Sequence, residues 1–184
     1  MKISRKILRS ASYFISNDET KLQLCFIHAQ KESNKTIIQA TNGHSAISIS
    51  FIHDETGSED LLIPTGDHLK AKKKKDKNEI LDIYQGDKKT IVHTEQESKW
   101  FSVPKGKYPD LNLLFKEAKN NVKEYAPSSF AINPELFCLL SKSIKEFGYS
   151  KINWYMPENT DNAIYCHQTI ENINWEAIVM PCSK

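Results

Sequence analysis

The sequence is poor in loop-forming and chain-loosening residues: 184 residues include only six glycines and seven prolines. That scarcity excludes a collagen-like or low-complexity chain. A content of 39% hydrophobic and 26% charged residues excludes a wholly disordered one. No apolar run approaches the ~18–20 residues of a membrane-spanning helix. The basic opening MKISRKILRSASYF is broken by Ser10 and Ser12 before a signal-peptide core can form. A soluble protein of the cytoplasm is the expectation, with no membrane partner. The four cysteines, Cys25, Cys138, Cys166 and Cys182, are dispersed and form no CxxC, which fits reduced thiols. Cys25 with His28, and Cys166 with His167, lie an odd number of residues apart in strand-like segments. Their side chains would point to opposite faces, so no metal site is expected.

Catalytic signatures are missing as well. The chain has no GxSxG elbow, HExxH, GxxxxGK[ST] or GxGxxG. His44, in ATNGHSA, reads as a turn residue, and the acidic run Asp54–Asp60 as a loop. Neither an enzyme nor a cofactor is expected.

What is present is a repeat. Three segments, each roughly a third of the chain, follow one grammar of a helix start and then alternating strands. The first runs from Ile3–Phe14 as helix into KLQLCFIHAQ, KTIIQAT and SAISISFI. The second opens with LLIPTGDHLKAKKKK and continues with EILDIYQG, KTIVHT and KWFSVP. The third opens with FAINPELFCLLSKSIKEF and continues with KINWYMP, NAIYCHQ and WEAIVMP. Ser4, Thr65 and Asn133 are capping types at the heads of the helical stretches. Pro134 suits a first helical position, and Gly148 a helix stop. Leu136, Phe137, Leu140, Ile144 and Phe147 recur at helical spacing. Leu22, Leu24 and Phe26, and then Ile47, Ile49 and Phe51, alternate as on strands. Asn42-Gly43 and Gly86-Asp87 are turn signals. The pattern predicts an α+β chain of helix-plus-antiparallel-meander units, three per chain, with the helices on one face. The polar segment Lys116–Ser129 reads as a linker.

Twenty-five Lys and Arg against 23 Asp and Glu leave a net charge of only +2, but the cations are concentrated. Lys2, Arg5, Lys6 and Arg9 mark the first helix. Lys70, Lys72, Lys73, Lys74, Lys75 and Lys77 crowd the second, and Lys142 and Lys145 lie on the third. Such a bias over repeated helices fits sequence-independent contact with a phosphate backbone. No recognition helix, zinc finger or aromatic stacking platform is apparent.

Four segments together resemble the bacterial DNA polymerase III beta subunit, the sliding clamp. ATNGHSAIS is similar to that family's ATDGHRLA turn, and LLIPTGDHLK to its strand entering a helix. KGKYPDL resembles its Gly-Arg/Lys-Phe/Tyr-Pro-Asp segment, and WEAIVMPCSK its C-terminal YVVMPMRL. Residues 1–125 resemble the clamp's two-unit middle domain, and residues 126–184 the second half of its last domain, as in shortened clamp-like proteins of phages and mobile elements. The resemblance implies a sliding-clamp fold, a double-stranded DNA partner, and a cleft docking a peptide of a DNA polymerase or repair protein. It assigns Thr41, Gly43, Ser45, Ala46, Val179, Met180, Pro181 and Cys182 to that cleft. Ser45 and Ala46 stand where the family has Arg and Leu, and Cys182 where it has a second Met, so polar contact and apolar fill are reduced. Full-size rings hold twelve units, so three per chain implies a homotetrameric ring associated with the nucleoid. The alternative is a non-encircling interaction protein, a decoy or adaptor for the same peptides.

Overall fold

The computed structural model describes residues 1–54, 56–70, 76, 78–86, 89–95, 97–104, 106–122, 131–157 and 161–181. Strand β1 (Lys2–Ser4) leads into helix α1 (Arg5–Ser12), a 3-10 segment (Glu19–Cys25), and strands β2 (Phe26–Glu32), β3 (Lys35–Thr41) and β4 (Ser45–Ile52). A second unit holds β5 (Ser58–Pro64), a 3-10 turn (Asp67–Leu69), β6 (Ile80–Gln85), β7 (Lys89–His93) and β8 (Ser98–Ser102). Helix α2 (Leu111–Asn120) precedes the third unit of α3 (Pro134–Lys145), β9 (Asn153–Tyr155), β10 (Ile164–Ile170) and β11 (Ile173–Val179). Among the described residues no helix is long and apolar enough to cross a membrane.

The first two units exchange their opening strands. β1 pairs with β6, placing Ile3 opposite Leu81, and β5 pairs with β2, placing Ile27 opposite Ile63. All four residues are buried, so each sheet takes part of its core from the other unit. The exchange produces a four-stranded sheet, β1-β6-β7-β8, and a seven-stranded sheet, β5-β2-β3-β4-β11-β10-β9. The third unit extends the first through β11 and β4, where Trp175 faces Ile49 and Ala177 faces Ile47. Edge strand β5 is closed by side chains: Gln85 Oε1 accepts from the Leu62 amide at 2.8 Å, and the Thr90 hydroxyl donates to the Leu62 carbonyl at 2.8 Å. Such satisfaction blunts an exposed edge.

Ile47 and Ile49 enter the main core as their alternation predicts, with Phe51 packed at its margin. Helices α1 and α3 cover this face side by side. The Ser10 and Ser143 hydroxyls meet at 2.5 Å, and the Trp175 indole donates to Ser143 Oγ at 3.0 Å. The Asn133 side chain caps α3 by accepting from the Glu135 amide at 2.9 Å, and Gly148 lies past its end at φ +81°.

Several expectations are corrected. Ile3 lies in β1 rather than α1, because pairing with β6 captures it before the helix begins. Residues 21–25 are 3-10 rather than strand, leaving Leu22 exposed. The acidic run 54–60 is loop only at its start, since Ser58–Asp60 open β5. Where a second basic helix is expected, the described residues form a 3-10 turn at Asp67–Leu69, with Asp76 and Asn78 also in 3-10 conformation; residues 71–75 and 77 lie outside the described set. The segment read as a linker begins inside α2. That helix packs on the sheet face opposite α1 and α3, where Leu111, Phe115 and Ala118 form a second core with Ala46, Tyr165 and Ile178. β4 and β11 are therefore buried on both faces, and helices occupy both sides of the sheet.

Candidate functional site

Five residues turn β3 into β4. Asn42 Oδ1 accepts from the His44 and Ser45 amides at 2.9 and 2.8 Å. Thr41 Oγ1 donates to the Ser45 carbonyl at 2.8 Å and accepts from the Gly43 amide at 3.1 Å. Gly43 sits at φ +90°, a left-handed conformation that L side chains rarely adopt. The short polar side chains thus satisfy the turn from within. The end of β11 is fastened to it: the Met180 amide donates to the His44 carbonyl at 2.9 Å.

Between turn, strand end and α2 lies a cavity of about 290 Å³. Ala46 and Ile178 supply its apolar floor, Leu114 and Ala118 one wall, and Met180 its rim. A second cavity of about 460 Å³ continues past His44 and Met180 toward Leu136 and Leu139 of α3, with Pro181 beside it. A concave, mainly apolar space with a few polar groups at its mouth is suited to an apolar side chain on a peptide.

Thr41, Gly43, Ser45, Ala46 and Met180 therefore line the first cavity, and Pro181 the second. Val179 is corrected: it is fully buried in the main core and points away from the cleft. Strand alternation, which sets Ile178 and Met180 on one side and Val179 on the other, is the signal that could have placed it. Cys182 lies outside the described residues. Sequence reading also missed the α2 wall. Its signals were Asp110, whose side chain caps the helix by accepting from the Asn112 amide at 3.0 Å, and the four- and three-residue spacing of Leu111, Phe115 and Ala118.

α2 is held in place by charge as well as packing. Lys119 Nζ lies 2.6 Å from Glu176 Oε1, and the Tyr165 hydroxyl donates to the same oxygen at 2.7 Å. Burial pushes the Glu176 carboxyl up, but the hydrogen bonds from Lys119 and Tyr165 outweigh it and hold the group below its ordinary range. Burial also pushes the Tyr165 phenol up, so it stays a donor. A depressed carboxylate stabilises the fold above its unfolded pKa, and that contribution fades as pH falls through the folded value. Glu176→Gln is expected to cost about 1 kcal/mol near neutrality, discounted because Lys119 is partly solvated. The difference from wild type should shrink below roughly pH 4.3. Thermal melts across that range check this; a gap independent of pH would contradict it.

The basic residues separate into three groups. Lys2, Lys70, Lys142 and Lys145 are exposed, with Lys70 paired to Asp67 at 2.8 Å, and Lys6 is half-buried. Arg9 is half-buried and tied to Glu146 at 3.2 Å. Arg5 is a correction: it is 5% exposed, pairs with Glu79 at 2.6 Å and donates to the Lys70 carbonyl at 3.0 Å. Its position where α1 meets the second unit buries its guanidinium, so it presents no charge to a phosphate. Lys72, Lys73, Lys74, Lys75 and Lys77 lie outside the described residues.

The exchanged opening strands, the sheet continued between units and the paired helices beneath it together define the sliding-clamp fold. Solved structures share it. The beta subunit of DNA polymerase from Streptococcus pyogenes superposes with a TM-score of 0.74 at 12% identity, over 100% of this chain and 66% of that one. The DNA polymerase III beta chain of Streptococcus pneumoniae gives 0.72 at 13% identity, over 100% and 64%. The Pseudomonas aeruginosa sliding clamp bound to griselimycin gives 0.69 at 13%, over 100% and 65%. The chain thus spans just under two thirds of the length of these clamps, as a shortened clamp-like fold. A scan against protein-family models finds no match, and a search of curated proteins finds none.

Proposed function

We propose that this chain is a sliding-clamp-like processivity factor: it encircles duplex DNA without reading sequence and tethers a polymerase or repair protein by a short peptide. In this reading it is a tether and not an enzyme. The observation that carries it is the cleft, in which the Met180–His44 bond joins a strand end to a glycine turn around an apolar floor. A peptide with one large apolar anchor would fill the first cavity and run on into the second. Met180 is 41% exposed and its unbranched thioether adapts to the shape of the anchor.

On the other side of the sheet, α1 and α3 carry Lys6, Lys142 and Lys145, all at least partly accessible. Loose contacts of such cations with phosphates release counterions without fixing a register. Three units per chain support a homotetrameric ring, closed through copies of itself. The experiment for the cleft is a titration with a labelled peptide bearing an apolar clamp-binding motif. Saturable binding supports the reading, and no binding at millimolar peptide opposes it.

A non-encircling decoy or adaptor is the second reading. It is favoured by the burial of Arg5 and the pairing of Arg9, which thin the positive charge on α1.

A further inference from the structure

We propose that the outer face of the four-stranded sheet binds single-stranded nucleic acid by stacking bases on Tyr84 and Trp100. The register builds this platform. Tyr84 of β6 lies opposite Ile91 of β7, and Ile91 opposite Trp100 of β8, forming one cross-strand row. The same face carries Lys89 and His93 of β7, Asp82 of β6 and Lys2 of β1, since residues two apart share a face. Its opposite face is the buried one, with Leu81, Ile83 and Val92 in the core. The outer row is open to solvent: Trp100 is 65% exposed, Tyr84 53% and Ile91 37%. No described element covers it. The linear sequence hid this arrangement because the two aromatics are 16 positions apart and meet only through pairing.

Two features select the occupant. The backbones at Tyr84 and Trp100 stand two strand spacings apart, about 10 Å, room for bases on an extended strand with an intervening nucleotide over Ile91. Lys89 Nζ lies over the Trp100 ring, 4.2 Å from its centroid; a stacking base displaces the ammonium from that ring face and leaves it beside the incoming phosphate, with Lys2 across the sheet. Among the described residues of these strands, Asp82 is the one carboxylate on this face, and it lies opposite Lys2. Aromatic surface with interleaved cations is the chemistry of sequence-tolerant single-strand binding. An apolar protein partner would instead have to bury Lys89 and Asp82. The site lies on the opposite face of the sheet from the core and apart from the peptide cleft, so it does not depend on encirclement.

The test titrates the full chain with a labelled oligothymidylate of about 16 nucleotides at low and high salt, following anisotropy and tryptophan fluorescence. Binding that quenches fluorescence and weakens with salt is expected. Trp100→Ala and Tyr84→Ala should each weaken it about tenfold or more, and Lys89→Glu should weaken it further at low salt. Trp100→Phe should keep most of the affinity while losing the quenching, which reports on stacking rather than folding. Because Trp100 is exposed, circular dichroism of these variants should match wild type. The proposal is overturned by no binding at low salt, or by Trp100→Ala binding as wild type does. It is equally overturned if Trp100→Ala changes the native mass while oligonucleotide affinity stays constant, since the face would then be a contact between proteins.

Discussion

Met180→Glu is expected to weaken peptide docking by about a hundredfold or more while leaving the melting temperature nearly unchanged. The two halves of that expectation have separate physical origins. The Met180 side chain is at the rim shared by both cavities, where an anchoring side chain would be desolvated. A carboxylate there would have to lose its hydration without a cationic partner, and the described lining residues of both cavities include no Lys or Arg. Central, desolvated contacts of this kind dominate binding energy, with losses of about 2–4 kcal/mol on removal. The bond that anchors the strand end uses the Met180 backbone amide, which the substitution retains. An exposed side-chain change usually alters stability by no more than about 0.5 kcal/mol. Isothermal titration with the motif peptide, alongside a thermal melt, checks both halves. Undiminished affinity would remove the cleft from the account.

Trp175→Ala is expected to be the most damaging single core truncation, costing about 3–5 kcal/mol. Trp175 is fully buried, pairs with Ile49 across the β4–β11 seam, and donates its indole N–H to Ser143 of α3. Ser143 in turn meets Ser10 of α1. One side chain thus joins the strand seam between first and third units to the helix pair beneath it. Truncation leaves a large cavity and removes the indole donor to Ser143. Urea unfolding followed by circular dichroism measures the loss. A cost below about 1 kcal/mol would mean that the third unit is not built into the same core.

Trp175 also marks the limit of what the chain revealed before its strands were paired. Ile47, Ile49 and Leu136, Leu140 and Ile144 of α3 were legible because each records a local period, although Phe137 of the same expected stripe is exposed; the Asn42-Gly43 turn was legible because its conformation demands those residue types. The exchange of β1 and β5 was not legible, because it joins Ile3 to Leu81 and Ile27 to Ile63, far apart in the chain, and leaves no local trace. Arg5 illustrates the cost. By spacing it belongs to a cationic stripe, but the exchange carries the head of α1 against Glu79. The same holds for the cleft. The turn and Met180 stood out through resemblance, whereas the α2 wall needed Leu111, Phe115 and Ala118 to be read as a helix face, and the polar residues after them obscured it. Val179 was misplaced for a simpler reason, since a motif carried over as a block ignores the alternation that sends successive strand side chains to opposite faces.

The measurement that bears most directly on the encircling claim is retention on duplex DNA of closed and open topology, read together with the mass of the retained assembly. The protein is loaded on covalently closed circles, separated by gel filtration in moderate salt, and the circles are then cut once. A ring of four chains that slides is expected to travel with the closed circles and to be lost after linearisation, as it runs off the ends. Equal retention before and after cutting, or a retained species with the mass of one 21.1 kDa chain, would contradict encirclement.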